Sequence, residues 1–275
     1  MTNNTPSAPK LITSAANADV KLLRSLHERK FRRQTGWFLA EGFRICTEAL
    51  ARGYAPQRLV FADGQQENQM VAKLTLACEA CGGRSIVVKP ALLERISRKD
   101  NPQTVICAFQ QKWSSLSNVV PRDDECWIAL DRVRDPGNLG TIMRTADAVR
   151  ATGIILIDDC TDPFSLEAVR ASMGAVFNVA VIKTTTAEFI RFAQRWPAPI
   201  IGTALMASTD YRKADWQLPS ILLMGNEQSG LTDELVSIST ELIRLPMRGQ
   251  SDSLNLAVAT GICLYEMHRI MPEHI

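Results

Sequence analysis

Asp131-Arg-Val-Arg-Asp-Pro-Gly-Asn-Leu-Gly-Thr-Ile-Met-Arg-Thr-Ala146 joins an apolar run, residues 127–130, to a helical pattern that begins at Leu139. Two later stretches open in the same way. Met224-Gly-Asn-Glu-Gln-Ser-Gly230 follows the apolar run 221–224, and Leu245-Pro-Met-Arg-Gly-Gln-Ser-Asp-Ser-Leu-Asn255 follows the run 242–245 and leads into the last helical pattern. In an open α/β sheet, ligands bind at loops on the carboxyl ends of strands. Three such loops, rich in Gly, Asn, Ser, Glu and Arg, predict one built pocket rather than three ordinary turns.

Outward from these loops, strand-like runs lie at 127–130, 153–157, 178–182, 200–203, 221–224 and 242–245, with helical patterns at 139–150, 165–173, 187–196 and 233–238. Strands apolar on both faces and separated by helices imply an α/β fold with a mainly parallel sheet. The last helix is expected to start near Ser251 or Ser253 and to reach about His268. It is apolar nearly all round (Leu254, Leu256, Ala257, Val258, Ala259, Ile262, Cys263, Leu264), so it is buried, or partly covered by a second subunit.

The preceding half reads as a separate α/β sandwich over residues 19–112. Asp19 is placed to cap a helix with Val20, Leu22, Leu23 and Leu26 on its apolar side and Lys21, Arg24, Arg29, Lys30, Arg32 and Arg33 on its polar side. Strands follow at 37–40, 58–62, 85–88 and 104–109, and helices at 43–52, 71–81 and 91–96. Residues 1–18 read as a disordered tail. The Ser-rich stretch 113–125, with its acidic end, reads as a flexible linker to a second domain over 126–275. Residues 1–113 hold 17 Lys/Arg against 9 Asp/Glu, a balance of +8, while 114–275 hold 14 against 20, a balance of −6. A basic module joined to an acidic one points the first half toward a polyanion.

With 46% hydrophobic and 22% charged residues, composition is that of an ordinary globular protein, and no apolar run approaches the roughly 20 residues that span a bilayer. The polar start of the chain lacks a signal-peptide core, so the expected location is the cytoplasm. Seven scattered cysteines are expected as reduced thiols, and Cys78-x-x-Cys81 stands without a second ligand pair, so no metal is expected.

The loops themselves exclude familiar cofactors: neither Gly-Lys-Ser/Thr nor Gly-x-Gly-x-x-Gly occurs in them. No histidine lies near their serines, which leaves a Ser-His hydrolase little support. Asn138 reads either as the cap of the helix behind it or as a functional amide. Arg144 follows Ile142 and Met143 and precedes Ala146, and an Arg in apolar surroundings needs an anion or carboxylate. Glu227 is either a cap or ion-pair partner or a site carboxylate. Ser253 is either the cap of the last helix or a polar group in the pocket.

Together the three stretches resemble the motifs of the SpoU/TrmH family of S-adenosylmethionine-dependent RNA ribose 2′-O-methyltransferases, within the SPOUT superfamily. The resemblance covers residues 126–271, with all three motifs in order. The first half resembles the family's ribosomal-protein-like substrate-binding module through Asn17, Lys21, the cluster Arg29, Lys30, Arg32 and Arg33, Phe38-Leu-Ala-Glu-Gly-Phe-Arg44 and Asn101-Pro-Gln103. This implies a trefoil-knotted domain, a homodimer that completes the RNA site, and S-adenosylmethionine as cofactor. It implies Arg144, Asn138, Glu227, Ser253 and Asn255 as the catalytic group, and Gly225, Leu245, Leu254, Met247 and Thr203 around the cofactor. RNA contacts are expected from Lys21, Arg29, Lys30, Arg32, Arg33 and Arg44. The family gives Arg144 the role of base. A guanidinium rarely deprotonates in proteins, so a phosphate clamp that polarises the 2′-hydroxyl is the other role open to it. Gln228 departs from the Gly that many relatives have after the Glu. Ribosomal RNA is favoured over transfer RNA as target. A non-catalytic RNA-binding or ribosome-assembly protein on the same fold, and an unrelated small-molecule α/β enzyme, are the competing readings.

Overall fold

The computed structural model describes residues 11–250 and 252–270, and the chain divides into two compact units, Met1–Gln111 with Phe164–Arg170, and Lys112–Pro163 with Ala171–Ile275.

The first unit runs β1 (Leu11–Ile12), α1 (Ala18–Ser25), α2 (Arg29–Thr35), β2 (Trp37–Glu41), α3 (Phe43–Ala51), β3 (Arg58–Ala62), α4 (Gln69–Ala80), β4 (Arg84–Val88), α5 (Pro90–Ser97) and β5 (Val105–Gln110). Its sheet has the order β1-β4-β3-β5-β2, with β5 antiparallel to both neighbours. Side chains alternate across a strand. Leu39, Val60, Ile86 and Ile106 accordingly pack with Val20 and Leu23 of α1, Leu26 at its C-cap, and Leu92, Leu93 and Ile96 of α5. This is the sandwich expected from the sequence.

Several details of that expectation change. Part of the stretch read as a tail is ordered: β1 pairs with β4, and Asn17, not Asp19, caps α1 by accepting from Asp19 N and Val20 N. Residues 1–10 of the expected tail lie outside the described residues. Asp19 is instead buried, where Arg58 and Arg84 pair with its carboxylate. The single basic helix is two helices, although no Gly or Pro separates them. Arg32 is only 4% exposed and donates to the carbonyls of Leu26 and His27 at 2.8 Å each, while His27 Nε2 lies 2.6 Å from Ile96 O. The Arg32 guanidinium thus takes over the carbonyls that follow α1. Arg32 is engaged in holding the fold, whereas Lys21, Arg29, Lys30, Arg33 and Arg44, the other expected RNA contacts, are exposed. The first unit also claims Phe164–Arg170, which the sequence reading gave to the second domain.

The second unit runs β6 (Cys126–Asp131), α6 (Pro136–Ala148), β7 (Gly153–Ile157), β8 (Ala180–Thr184), α8 (Thr186–Ala193), β9 (Ile200–Thr203), β10 (Thr209–Asp210), β11 (Ser220–Met224), α9 (Asp233–Ser237), β12 (Glu241–Arg244) and α10 (Leu256–His268), while α7 (Leu166–Ser172), between β7 and β8 in the chain, belongs to the first unit as far as Arg170. The seven strands lie in the order β10-β12-β9-β11-β6-β7-β8 and every pairing is parallel. Trp127, Ala129, Ile155, Ile182, Ile221 and Leu223 meet Phe189, Phe192 and Trp196 of α8 and its C-terminal turn, and Leu235 of α9, on one face. On the other, α10 packs against α6 and β11. The expected flexible linker is docked over its first half: Ser114 bridges Ile182 on the edge strand, and Leu116 and Val119 pack on the core. Among the described residues no helix is long and apolar enough to cross a membrane.

Replacing Arg32 by Ala should lower stability by about 2 kcal/mol, because two buried carbonyls lose a charged donor. Arg33→Ala should stay within about 0.5 kcal/mol of the parent. Urea unfolding of the two variants distinguishes the structural arginine from its exposed neighbour; equal midpoints would contradict the assignment.

Candidate active site

Strand order brings the carboxyl ends of β12, β9, β11 and β6 side by side. The chain leaves β6 toward β7 and β8, then returns to the opposite side at β9, so this is the switch point at which parallel sheets bind ligands. All three loops read from the sequence meet here.

Asp135, rather than Asn138, caps α6: its Oδ1 accepts from Asn138 N at 2.6 Å, and Pro136 occupies the first helical turn. The Asn138 side chain is therefore available to the other loops. Its Nδ2 donates to Glu227 Oε1 at 3.3 Å, and its Oδ1 accepts from Asn255 Nδ2 at 2.8 Å. Asn255 in turn caps α10, accepting from Ala257 N at 2.9 Å and Val258 N at 3.2 Å, so the expected start of that helix at Ser253 moves to Asn255, and Ser251 lies outside the described residues. An ionised carboxylate only accepts. Glu227 thus orients the Asn138 amide, which orients the Asn255 amide, which leaves the Asn255 oxygen for the helix.

Behind this chain lies a cavity of about 760 Å³, within the size range of small-molecule sites. Leu231, Val236, Ile243, Leu245 and Leu254 give it an apolar wall, and its charged lining residues are Glu227, Asp252 and Arg244. Gly225 is required here: a Cβ would overlap the backbone of Gly230 and Leu231, where the turn after β11 folds back on itself. Asn138, Glu227, Ser253 and Asn255 line the cavity, as do Gly225, Leu245, Leu254, Met247 and Thr203. Leu205 and Met206, in the loop after β9, also line it and were missed. The signal available was their place after a strand end. Met206 is 96% exposed.

Arg144 stands apart. The buried stripe of α6 is Leu139, Ile142, Met143 and Ala146, and Arg144 falls outside it, exposed, with no hydrogen bond or ion pair among the described residues. Its expected apolar surroundings are not found, because α6 has a polar face as well. It shares an exposed side of α6 with Thr141 and Thr145, which line a groove with Ala257, Val258, Gly261, Ile262 and Tyr265 of α10. Val258 is 51% and Tyr265 58% exposed there, so α10 is covered on one side only.

The cysteines are free thiols. Burial, with Cys81 beside it, pushes the Cys78 thiol up to about 12, which disfavours the reactive thiolate. Among the described residues no three His, Cys, Asp or Glu side chains gather to hold a metal.

Comparison with known proteins gives a consistent picture. Residues 125–265 match the SpoU rRNA Methylase family, and residues 17–107 match the MRM3-like substrate binding domain. An uncharacterised tRNA/rRNA methyltransferase of Synechocystis is 33% identical over 263 residues, covering 94% of this chain and 93% of the relative. A 23S rRNA (uridine(2479)-2′-O)-methyltransferase of Streptomyces viridochromogenes is 30% identical, covering 89% and 86%. The crystal structure of an AdoMet-bound rRNA methyltransferase from Sinorhizobium meliloti superposes with a TM-score of 0.90 at 44% identity, covering 96% of this chain and 99% of that one.

Asn255→Ala should cost about 1–2 kcal/mol through loss of the cap. Asn255→Ser keeps an acceptor oxygen for the first amides of α10 and should recover most of that loss. Thermal unfolding of both variants checks this. If Ser were as damaging as Ala, the cap would not be what Asn255 contributes to stability.

Proposed function

This chain belongs to the SpoU rRNA methylase family, and on that footing we propose that it methylates a ribose 2′-hydroxyl of ribosomal RNA, with S-adenosylmethionine as methyl donor. The observation that carries the reading is the joining of Glu227, Asn138 and Asn255 into one hydrogen-bonded chain at the mouth of the cavity. Ribosomal RNA is the favoured target because the named relatives that span most of this chain include enzymes of 23S rRNA, and because the first half is basic.

The cavity fits the cofactor. Its apolar wall suits an adenine ring, and two carboxylates against one arginine suit a ligand that carries a sulfonium and an ammonium. Gly225, Leu245, Leu254, Met247 and Thr203 would hold it through backbone and apolar surface. When bound, it supplies an electrophilic methyl group. The chain's own residues do the rest. Asn138, Glu227, Ser253 and Asn255 form the polar rim that aligns the ribose oxygen, and alignment is a large part of such a displacement. Arg144 clamps a phosphate of the target and polarises the 2′-hydroxyl, whose proton passes to water as the oxygen–methyl bond forms and the sulfur–methyl bond of the donor breaks.

Arg144 does not line the cavity of its own chain. A homodimer joined through the exposed side of α10 and α6 accounts for this, since Arg144 stands beside that groove and a second copy would cover Val258 and Tyr265. An exposed apolar strip marks a partner site. Sedimentation equilibrium should give a dimeric mass; a monomer at micromolar concentration would overturn the assignment.

Arg144→Ala should slow methyl transfer by at least about 100-fold and leave cofactor binding unchanged. Single-turnover assays on ribosomal RNA at saturating cofactor, with nucleoside digests scored for 2′-O-methylation, test both the reaction and the residue. A near-normal rate would take Arg144 out of the chemistry, and an unmethylated digest from the parent protein would remove ribosomal RNA as the target.

Charge reversal at Arg29, Lys30 and Arg33 should weaken RNA binding and flatten its salt dependence, each lost phosphate contact removing roughly 0.7–0.9 from the log–log slope. An unchanged slope in filter-binding titrations would put the RNA elsewhere.

A further inference from the structure

Consecutive side chains of an extended strand point to opposite faces, so a side-chain pair between neighbours requires the backbone to turn. Asp131 ends β6 with its side chain wholly buried. Arg132 adopts φ 49°, a left-handed conformation that non-glycine residues rarely hold without compensation. The turn brings the guanidinium back onto the preceding carboxylate: Nε donates to Oδ1 at 2.8 Å and Nη2 to Oδ2 at 2.9 Å. A buried carboxylate needs such a partner, and a planar fork matches both of its oxygens.

The same residue reaches the loop after β11 from two sides. Arg132 Nη2 lies 3.4 Å from Ser229 Oγ and 3.4 Å from Gly230 O, while its own carbonyl accepts from Asn226 Nδ2 at 2.7 Å. Between those anchors the loop closes on itself. Asn226 and Gly230 exchange both backbone bonds, and Asn226 Oδ1 accepts from Gln228 N and Ser229 N. Glu227 projects from this closed turn toward Asn138.

We infer that Arg132 is a positioning residue: braced on Asp131, it sets the 226–230 turn, and through it the Glu227 carboxylate and one wall of the cofactor cavity. The inference rests on the reading of the cavity as a methyl-transfer site. Arg132 acts through the turn and not on the reacting atoms, so its loss should be felt in cofactor affinity and in turnover while RNA affinity is spared.

Removing the guanidinium alone strands a buried carboxylate, so the variant of choice is Asp131→Asn combined with Arg132→Gly. Glycine holds the left-handed backbone without strain, and the amide leaves no buried charge. Arg132→Lys is the second variant: it keeps the charge and the backbone conformation but not the fork. Three measurements are made on the full chain. Amide hydrogen exchange without cofactor should show Gln228, Ser229 and Gly230 exchanging at least about tenfold faster in both variants, the loss expected for hydrogen bonds to a charged group. Calorimetry should show the Kd for S-adenosylmethionine rising about tenfold. Steady-state kinetics should show kcat falling by about 100-fold with the KM for RNA at its parental value. Parental exchange rates and cofactor affinity in both variants would overturn the inference. So would losses of RNA KM and of global exchange protection equal to those at the turn, since these describe general destabilisation. If the double variant does not fold, Arg132→Lys decides alone. A parent protein that binds no S-adenosylmethionine would sink the functional reading, and the exchange comparison would still decide whether Arg132 holds the turn.

Discussion

A carboxylate that can only accept hydrogen bonds dictates the orientation of the amides around it. Glu227 is that group. Because it accepts from Asn138, the Asn138 oxygen must face Asn255, and because Asn255 donates there, its own oxygen is left for the first amides of α10. Three loops far apart in the chain are thereby joined in one sense only. A site built from independent loops would have to order them when a ligand arrives. A chain of directed bonds has that order beforehand, which is the preorganisation that alignment chemistry needs.

The sheet makes the chain of bonds possible. β11 lies between β9 and β6, so the second loop is beside the first although some 90 residues separate them in sequence. Residues on both sides of the β12–α10 connection, Leu245, Met247, Ser253 and Leu254 among them, line the cavity, and α10 packs back against α6 and β11. A trefoil knot is typical of the SpoU family, and the superposition with the Sinorhizobium meliloti enzyme covers nearly the whole chain.

Much of this was legible in the sequence, for identifiable reasons. The strands at 58–62, 153–157 and 200–203 are short apolar runs bounded by turn residues, and they appear at the expected positions. The three loops could be placed because each follows such a run. Other features depend on contacts that spacing does not reveal. Asp135, Asn138, Ser253 and Asn255 are all good caps by type, and only the three-dimensional arrangement shows that Asp135 and Asn255 take that role. The break between α1 and α2 has no Gly or Pro to announce it, because Arg32 produces it from six residues beyond the break's start. Arg144 looked surrounded by apolar residues in the linear sequence, yet it lies on the side of α6 away from the buried stripe. Residues 113–119 have a linker's composition, but the open edge of β8 gives them a partner.

The helix that carries the exposed apolar face begins inside the cavity. Asn255 is at once the last member of the polar chain and the cap of α10, and Leu254, one residue earlier, is part of the cavity wall. A ligand that favours one arrangement of the loops therefore also favours one setting of the first turn of α10, and so of Val258. Linkage of this kind has no preferred direction. A ligand that changed the setting of that first turn would, by the same free energy, change how readily the outer side of α10 is covered.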